Sequence, residues 1–382
     1  MPLGDPAPKP PSLLGYHRPL SPTAAVRVSP LCLGTMNFGS AWREKMGDCA
    51  KDEAFQIMDR FYGLGGNFID TANFYQAGES EQWIGEWMQA RGNRDQLAGD
   101  KIYRNLRPQH PPPQQHNRQL PQIPTPLHRL IPAQPADRLH RPALLHYWDF
   151  TTSVPEIMHG LNALFTVGNV LYFGISDTPA WIVVKANEYA KANGLRGFSV
   201  YQGKWNMGCR DLEREVLPMC RDQGMGVVPW GGVGGSKYRT TERREGDGGS
   251  GEGRKVPLSE NDVRLSGAIE GMARRKGVEF HALCLAYLLH KAPYVFPLAG
   301  QRRVDHLLAN VTALSIKSAP EEIRELETVI PFDVGFPMNF LFGGHAGVNY
   351  STELTAADVY WTTRTTWIDV PPPQRPIEPR RQ

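Results

Sequence analysis

The chain has 382 residues, of which 41% are hydrophobic and 21% are charged, and its formal net charge at pH 7 is +3. This composition is typical of a globular protein, gives no sign of a nucleic-acid or membrane-surface partner, and includes no apolar run near the roughly 20 residues that span a membrane. The proline-rich start has no apolar signal core and the five cysteines show no CxxC spacing, so we expect a cytoplasmic protein with neither a disulfide framework nor a metal site.

Strand and helix patterns alternate along most of the chain. Apolar runs predict strands at 29–34, 67–70, 170–175, 197–201, 226–230 and 294–297, and amphipathic runs predict helices at 53–64, 79–91, 153–164, 179–192 and 211–222. Apolar strands separated by helices favour a parallel sheet covered by helices, so the predicted fold class is α/β. Residues 25–335 suit a (β/α)8 TIM barrel, which needs about 250 residues, with a doubly wound sheet as the alternative. Residues 1–24 would then be an N-terminal extension and residues 336–382 a C-terminal tail.

A carboxylate and a phenol lie near one strand end. Gly65 and Gly66 end a helical pattern, the strand 67–70 finishes on Asp70, and Tyr75 lies on the loop that follows. Side chains at the carboxyl end of a barrel strand share one pocket, and this pair suits acid–base chemistry. A carboxylate that caps the next helix beside a core tyrosine is the competing interpretation.

Two glycine-rich runs have different contexts. The run at 246–251 matches G-x-G-x-x-G by letter, but it follows no strand and lies in a charged loop, so the match is accidental. The run at 231–235 directly follows an apolar strand, where a backbone can approach a phosphate closely. A flexible turn explains that second run equally well.

Residues 98–142 differ in composition from the rest of the chain. They contain ten prolines, four histidines and seven lysines or arginines against two acids, where a barrel should have its third strand, third helix and the start of its fourth strand. Proline at this density is incompatible with a helix interior or a central strand. We therefore expect this segment to be aberrant or disordered, to pack poorly and to break the barrel.

A shifted reading frame would explain the unusual segment. The run Ala-Gly-Asp-Lys-Ile-Tyr at 98–103 can be back-translated so that reading one base later gives Leu-Ala-Thr-Lys-Tyr-Thr. The same offset at 137–142 gives Thr-Asp-Tyr-Ile-Asp, and both products read as strand sequence. Two matches with one offset favour mistranslation of this segment relative to an ancestral protein.

Several motifs, in order, resemble those of one enzyme family. They are Asn-Phe-Ile-Asp-Thr-Ala at 67–72 with Tyr75, Leu-His-Tyr-Trp-Asp at 145–149, Gly-Ile-Ser-Asp at 174–177 and Tyr-Gln-Gly at 201–203. Together they resemble the aldo-keto reductases and, within them, the fungal aryl-alcohol dehydrogenase branch. The runs at 150–153, 176–181 and 331–337 support a still closer resemblance, to ketone reductases of that branch. The resemblance covers nearly the whole chain outside 98–142.

The resemblance implies a (β/α)8 barrel that binds NADPH without a Rossmann domain and carries an Asp, Tyr, Lys and His tetrad. Asp70, Tyr75 and His146 match three members of the tetrad. Lys101 stands near the place of the lysine, which belongs to an Ala-Thr-Lys strand found only in the shifted frame. In such a site an ammonium lowers the pKa of the phenol from about 10, the aspartate holds the lysine, and the histidine donates to the carbonyl oxygen.

The resemblance also implies a set of cofactor-binding residues that includes Asp70. Ser176, Asp177 and Gln202 match residues that hold the carboxamide, and Trp230 matches an aromatic residue that stacks on the nicotinamide. Gly231, Gly232, Gly234 and Gly235 become the pyrophosphate loop, and the adenosine-phosphate site is matched by Gly300, Gln301, Arg302, His306 and Asn310. Arg302 offers a planar fork suited to a 2′-phosphate.

The closer resemblance implies a carbonyl reductase that acts on a ketone of a polyketide anthraquinone in mycotoxin biosynthesis. Trp148, Trp205 and Phe38 would offer stacking surface to such a planar aromatic substrate. An aryl-alcohol dehydrogenase acting on aryl aldehydes is the first alternative. A barrel that binds NADPH without turnover is the second.

Overall fold

The computed structural model describes residues 8–97, 100–104, 142–168, 170–245, 256–343 and 353–380. The letter match to a dinucleotide fingerprint at 246–251 and most of the unusual segment 98–142 lie outside these residues. Within them, no helix is both long enough and apolar enough to cross a membrane.

Parallel strands form the centre of the described chain. The strands are β1 (Arg18–Ser21), β2 (Ala24–Val28), β3 (Cys32–Gly34), β4 (Ile69–Ala72), β5 (Asp100–Arg104), β6 (Pro142–Leu145), β7 (Tyr172–Ser176), β8 (Phe198–Lys204), β9 (Gly226–Trp230) and β10 (Leu298–Gly300). Each strand from β3 to β8 pairs in parallel with the next strand along the chain. The last strand, β10, pairs in parallel with β3, and Leu298 lies opposite Cys32.

The ring of strands closes between β9 and the residues before β10. Val227 and Val295 form a parallel bridge, and Phe296 N donates a hydrogen bond of 2.9 Å to Val227 O. A doubly wound sheet is open, and its strand order reverses direction part-way across the sheet. The strands here close into a ring, so the doubly wound alternative is wrong. The described strands form a barrel of the (β/α)8 type, as the sequence predicts.

Helices cover the outside of the barrel. Those described are α1 (Arg43–Met46), α2 (Lys51–Gly63), α3 (Glu79–Arg91), α4 (Val154–Thr166), α5 (Ala180–Ala192), α6 (Val216–Asp222), α7 (Thr241–Glu245), α8 (Glu260–Lys276), α9 (Phe280–Lys291), α10 (Val304–Val311), α11 (Pro320–Thr328), α12 (Met338–Leu341) and α13 (Tyr360–Thr363). The spacing of buried residues explains how they pack. On α2, for example, Ala54, Ile57, Met58 and Phe61 are buried at the i, i+3, i+4, i+7 positions that make one helical face.

The barrel interior is filled by apolar side chains and is covered at one end. Leu144, Val200 and Val228 belong to one buried cluster and come from three different barrel strands. The β1–β2 hairpin adds Leu20 and other buried residues to this cluster, and the Leu20 carbonyl lies against Gly226, the first residue of β9. The hairpin therefore covers the amino-terminal ends of the strands, and the carboxyl-terminal ends remain for a functional site.

Three predicted elements differ in position from the observed ones. The run 211–222 is a 3₁₀ turn followed by α6, because Pro218 has no N–H with which to continue a single hydrogen-bond ladder. The run 294–297 supplies only the Val295 bridge, and the last strand begins at Leu298. The strand predicted at 67–70 begins at Ile69, since Asn67 Oδ1 instead accepts a hydrogen bond of 2.7 Å from Ser29 N.

Two barrel strands lie at the ends of the segment 98–142. Asp100–Arg104 forms β5, which pairs with β4 on one side and with β6 on the other. The prediction that this segment breaks the barrel is therefore wrong for the described strands. Strand pairing needs backbone N–H groups, which proline lacks. The five residues of β5 contain no proline, and the first proline of the segment is Pro108.

Candidate active site

Asp70 is a buried carboxylate in the barrel interior. The residue is 1% exposed, and its Oδ1 accepts a hydrogen bond of 3.4 Å from Gln202 Nε2. This bond crosses the interior, because β4 and β8 are not neighbours in the ring. The backbone of Lys101 in β5 is the register partner of Asp70. The predicted aspartate, the backbone of the predicted lysine and one predicted cofactor residue thus come together.

Tyr75 begins the short 3₁₀ turn Tyr75–Gly78, which joins β4 to α3. The next two residues, Gln76 and Ala77, have left-handed φ values of 51° and 56°, a conformation that costs about 1–2 kcal/mol in a residue other than glycine. Buried hydrogen bonds offset this strain. Gln76 Oε1 accepts from Trp42 N at 2.7 Å, and Gln76 Nε2 donates to Met36 O at 3.0 Å. The turn that carries Tyr75 is therefore fastened to the loop after β3.

An aromatic cluster connects Tyr75 with His146. The Phe74 ring centroid lies 5.2 Å from that of Tyr75 and 5.3 Å from that of His146, and the Phe74 and imidazole planes differ by 25°. Trp42 completes the cluster at 5.8 Å from Phe74 and 6.4 Å from Tyr75. Because Tyr75 follows β4 and His146 directly follows β6, the fold brings these two predicted residues to the same end of the barrel, with Phe74 between them.

The aromatic residues predicted to stack on a substrate are buried in the core. Phe38 and Trp205 are 0% exposed and Trp148 is 8% exposed, so the prediction that these rings contact a substrate is wrong. Trp205 donates its indole N–H to Glu213 Oε1 at 3.0 Å within the core. The accessible rings at the site are instead those of Phe74 and Tyr147, which are 38% and 39% exposed.

The predicted carboxamide site lies at the ends of β7 and β8. Ser176 pairs in register with Gln202 and is 1% exposed, and its Oγ has no hydrogen-bond partner. A buried hydroxyl without a partner is unfavourable, and an amide bound beside it would satisfy both its donor and its acceptor. Asp177 is exposed and accepts a hydrogen bond of 3.1 Å from Trp230 Nε1, which holds the indole at the rim of the barrel.

The glycine run after β9 forms a tight turn. Gly231, Gly234 and Gly235 have φ values of 71°, 73° and 61°. Gly231 O accepts hydrogen bonds of 2.9 Å from Asn206 Nδ2 and from Gly234 N. A Cβ on Gly234 would lie 2.7 Å from the Tyr238 ring, so both the φ value and the space require glycine there. Val233, with φ −97°, is followed by the left-handed Gly234, and such a pair turns neighbouring backbone N–H groups toward one point, a geometry that binds phosphate oxygens.

The predicted adenosine-phosphate residues follow β10, which ends at Gly300. Gln301 is 2% exposed, and both polar atoms of its amide have no hydrogen-bond partner. Asn310 on α10 is also buried. These buried amides can accept and donate to a polar group such as adenine, and Gln301 needs such a partner.

Cations collect beside these amides. The fork of Arg303 is occupied by Asp305 at 3.1 and 2.9 Å, while Arg302 is half-buried. Burial lowers the pKa of His306, and the neighbouring Arg303, Arg243 and Arg302 lower it further against the opposing effect of Asp305. The three arginines near His306 place positive charge at this corner, which suits a phosphate monoester.

The described residues fit an extended dinucleotide phosphate. Unpartnered buried atoms occur at both predicted ends, at Ser176 and at Gln301, and the glycine turn and the cations supply phosphate-binding geometry and charge. Within the described part of the chain, no group of three or more His, Cys, Asp or Glu residues is placed to hold a metal ion.

Sequence reasoning missed three residues of this site. Trp42 and Phe74 contribute aromatic surface next to Tyr75, and Gln76 fastens the turn. Only Phe74 gave a usable signal, an aromatic residue adjacent to the predicted tyrosine. Nothing in the sequence near Trp42 indicates that its loop reaches this turn.

Comparison with known proteins assigns the chain to a family. The model of the aldo/keto reductase family matches residues 30–331. The chain belongs to the aldo/keto reductase family. This aldo/keto reductase is therefore an oxidoreductase, and the resemblance stated from its motifs is confirmed.

Similar proteins of the family cover nearly the same length. Norsolorinic acid reductase A of Aspergillus parasiticus is 47% identical over 381 residues, which are 98% of this chain and 96% of the relative. An aryl-alcohol dehydrogenase of Pestalotiopsis microspora is 46% identical over 344 residues, 88% of each chain. The NADP(+) aryl-alcohol dehydrogenase of Phanerodontia chrysosporium is 39% identical over 391 residues, 98% of this aldo/keto reductase and 99% of the relative.

Proposed function

We propose that this aldo/keto reductase uses NADPH to reduce the ketone of a polyketide anthraquinone, converting norsolorinic acid to averantin. The observation that carries the proposal is the ring cluster in which the partly exposed Phe74 lies between Tyr75 and His146, at the end of the barrel where the strand of Asp70 finishes. The name of a relative of almost equal length, norsolorinic acid reductase A, supports the choice of substrate.

Tyr75 is the proton donor in this proposal. Reduction of a ketone places negative charge on the carbonyl oxygen, and a phenol with a pKa of about 10 is a weak acid at neutral pH. Lys101, whose backbone is paired with that of Asp70, lowers the phenol pKa through its ammonium charge. Asp70, which accepts a hydrogen bond from Gln202, is the carboxylate that we assign to this lysine as its partner.

His146 polarises the carbonyl group in this proposal. The Phe74 ring stacks on the imidazole and limits its rotation, so that one imidazole N–H stays directed at the substrate oxygen. NADPH, when bound, supplies the hydride. Proton and hydride then reach the two ends of one carbonyl bond, with Tyr75 and His146 both next to the oxygen.

The same proposal gives the cofactor residues their tasks. Ser176 and Gln202 would hold the carboxamide, and Trp230, which donates a hydrogen bond to Asp177, would stack on the nicotinamide. The turn at 231–235 binds the pyrophosphate through its backbone N–H groups. At the far end Gln301 and Asn310 would bind the adenosine, and Arg302 and His306 would bind the 2′-phosphate.

The accessible aromatic rings favour a planar aromatic substrate. Phe74 and Tyr147 present rings to solvent on either side of His146, and Trp42 packs behind Phe74. Stacking on such rings contributes about 0.5–1.5 kcal/mol per pair beyond area burial. A fused three-ring substrate can use more of this surface than a single aryl ring.

Reduction of aryl aldehydes is the second candidate function. Two relatives are named aryl-alcohol dehydrogenases, and a single aryl ring can stack on Phe74 as well. The same catalytic residues would serve, so the two candidates differ only in the substrate surface. A barrel that binds NADPH without turnover is the remaining alternative.

Turnover of the two substrate types separates these functions. NADPH consumption is followed by nicotinamide absorbance with norsolorinic acid and with benzaldehyde, and we expect kcat/KM to favour the anthraquinone by about tenfold or more, which corresponds to about 1.4 kcal/mol. The opposite preference would favour the aryl-alcohol dehydrogenase role. Quenching of NADPH fluorescence without consumption on either carbonyl compound would reject both reductase functions.

A further inference from the structure

A cavity lies at the end of the barrel opposite to Asp70 and Tyr75. Its volume is about 110 Å³, and we call it the basal cavity; its lining comprises Leu13, Tyr16, His17, Arg18, Leu314, Ile377, Glu378 and Arg380. His17 Nε2 lies 2.7 Å from Gly65 O, which precedes β4, and Leu314 follows α10. The contact of His17 and the position of Leu314 both place the basal cavity at the amino-terminal ends of the barrel strands.

The tail segment that lines the basal cavity is fastened at several points. Arg380 stacks on the Tyr16 ring with its guanidinium carbon 4.6 Å from the centroid. Glu378 forms an ion pair of 3.1 Å with Lys317, and Gln374 lies 3.5 Å from the Tyr294 hydroxyl. The segment therefore forms a defined wall, and its acid is already paired with a lysine outside the cavity lining.

The guanidinium groups of Arg18 and Arg380 both line the basal cavity, and the one carboxylate of that lining, Glu378, is paired with Lys317. Within the described residues, no carboxylate lies within ion-pair distance of Arg18 or of Arg380. Burial, and to a smaller extent the like charge of Arg380, lower the pKa of Arg18 to about 10. Arg18 is partly buried and Arg380 is exposed, and the repulsion of the buried cation by the second one is relieved when an anion joins them.

We propose that the basal cavity binds a small oxyanion between the guanidinium groups of Arg18 and Arg380. Guanidinium forks bind carboxylate and phosphate oxygens in pairs, which gives both charge and geometry. Leu13, Leu314 and Ile377 make the rest of the lining apolar, so a carboxylate on a short aliphatic body fits better than a bare anion. The ligand would bind far from the catalytic end.

Calorimetry on the NADPH-saturated full chain tests this site. Butyrate and butyramide have the same size but differ in charge, and phosphate provides the oxyanion without the apolar body. We expect butyrate to bind with a stoichiometry of one and to raise the melting temperature, and we expect butyramide to do neither. Tighter binding of phosphate than of butyrate would still support the oxyanion site but would make the ligand a phosphate group.

Arginine variants locate the binding. Arg18→Gln and Arg380→Gln should each weaken butyrate binding by about tenfold or more, which corresponds to loss of one charge-assisted pair. Arg27→Gln is the matched control, because Arg27 lies on the same hairpin in register with Pro19 but is exposed outside the cavity. Equal butyrate affinity in all four proteins would overturn the proposal.

The melting temperature without added oxyanion gives an independent readout. Removal of one of two repelling charges should leave Arg18→Gln as stable as the wild type or more stable, in a chloride buffer. A clear loss of stability in Arg18→Gln would mean that the chain already neutralises this charge, and that result would also reject the site.

Discussion

Phe74, Tyr75 and Gln76 are consecutive residues with three different tasks. Phe74 stacks on His146, Tyr75 carries the hydroxyl that we propose as proton donor, and Gln76 fastens the turn through both ends of its amide. Motif resemblance was sufficient to select Tyr75. It could not reveal the other two, because the exposure of Phe74 and the burial of Gln76 depend on a loop more distant in the chain.

Replacement of Tyr75 by Phe tests the proton donor. The variant keeps the ring that packs on Phe74 and removes only the hydroxyl, so we expect kcat to fall by about 10²–10⁴-fold with little change in NADPH affinity. Stopped-flow turnover and fluorescence titration measure the two quantities. Tyr147→Phe removes the hydroxyl of a nearby exposed tyrosine and should leave kcat within about twofold. Equal losses in both variants would argue against a specific role for Tyr75.

Arg302 and Arg303 are adjacent, and the family resemblance assigns only Arg302 to the 2′-phosphate. Arg303 is already paired with Asp305, whereas Arg302 lies half-buried beside His306. Arg302→Ala should raise KM for NADPH by about 10–100-fold, the value of one hydrogen bond to a charged group, and leave KM for NADH nearly unchanged. Arg303→Ala is the control with little effect. A similar loss for both cofactors would place Arg302 away from the 2′-phosphate.

Individual elements were predictable where local pattern decides them. The predicted helix 79–91 and strand 226–230 have the observed bounds of α3 and β9. The β1–β2 hairpin was missed, because short strands containing Pro19 resemble an irregular lead and gain their stability from contacts with the barrel. The 211–222 helix was predicted too long because the pattern hid the effect of Pro218.

The turn after β4 stores backbone strain that a glycine would relieve. Ala77 is exposed with φ 56°, so Ala77→Gly should raise the free energy of unfolding by about 1 kcal/mol. Ala90→Gly, at an exposed position of the helix α3, should lower it by about 1 kcal/mol. Urea unfolding measures both changes. The same sign for the two substitutions would show that the turn is not strained at Ala77.

The segment 98–142 makes a prediction at the level of the gene. Sequencing of independent clones across codons 97–145 should reveal a base insertion or deletion, because the shifted frame restores strand sequence at both ends. The fourth residue of the run at 98–103 is lysine both in the sequence as given and in the shifted frame. This position is that of Lys101, whose backbone pairs with that of Asp70. An uninterrupted frame in every clone would contradict the shift, while the proposed lysine would keep its position in the barrel.

The whole molecule contains a buried ionic network that joins three parts of the barrel wall. Arg210 forms a bidentate pair with Glu213 after β8, Lys291 on α9 lies 2.6 Å from Glu327 on α11, and Tyr287 donates to the same carboxylate at 2.7 Å. Burial raises the pKa of Glu213, but Lys291 and Arg210 outweigh burial and lower it overall. The Glu213 carboxylate therefore remains charged in the core.

Removal of one partner from this network should destabilise the molecule strongly. Glu327→Ala leaves Lys291 buried without its closest acid, and we expect a loss of about 3–5 kcal/mol in the free energy of unfolding. Glu325→Ala removes an exposed acid of the same helix, paired with Arg275, and should cost at most about 1 kcal/mol. Denaturant unfolding of the two variants gives the comparison. Comparable losses would mean that the network contributes no more than a surface pair.

The pairing of Cys32 with Leu298 has a consequence for synthesis of the protein. A ring of strands cannot close until its last strand exists, so β3 keeps an unpaired edge while the intervening chain leaves the ribosome. At about 5–20 residues per second this wait lasts tens of seconds, longer than most local folding events. The nascent chain therefore exposes an unpaired, aggregation-prone strand edge during most of its translation. Chaperone supply should influence what fraction of the protein reaches the native state.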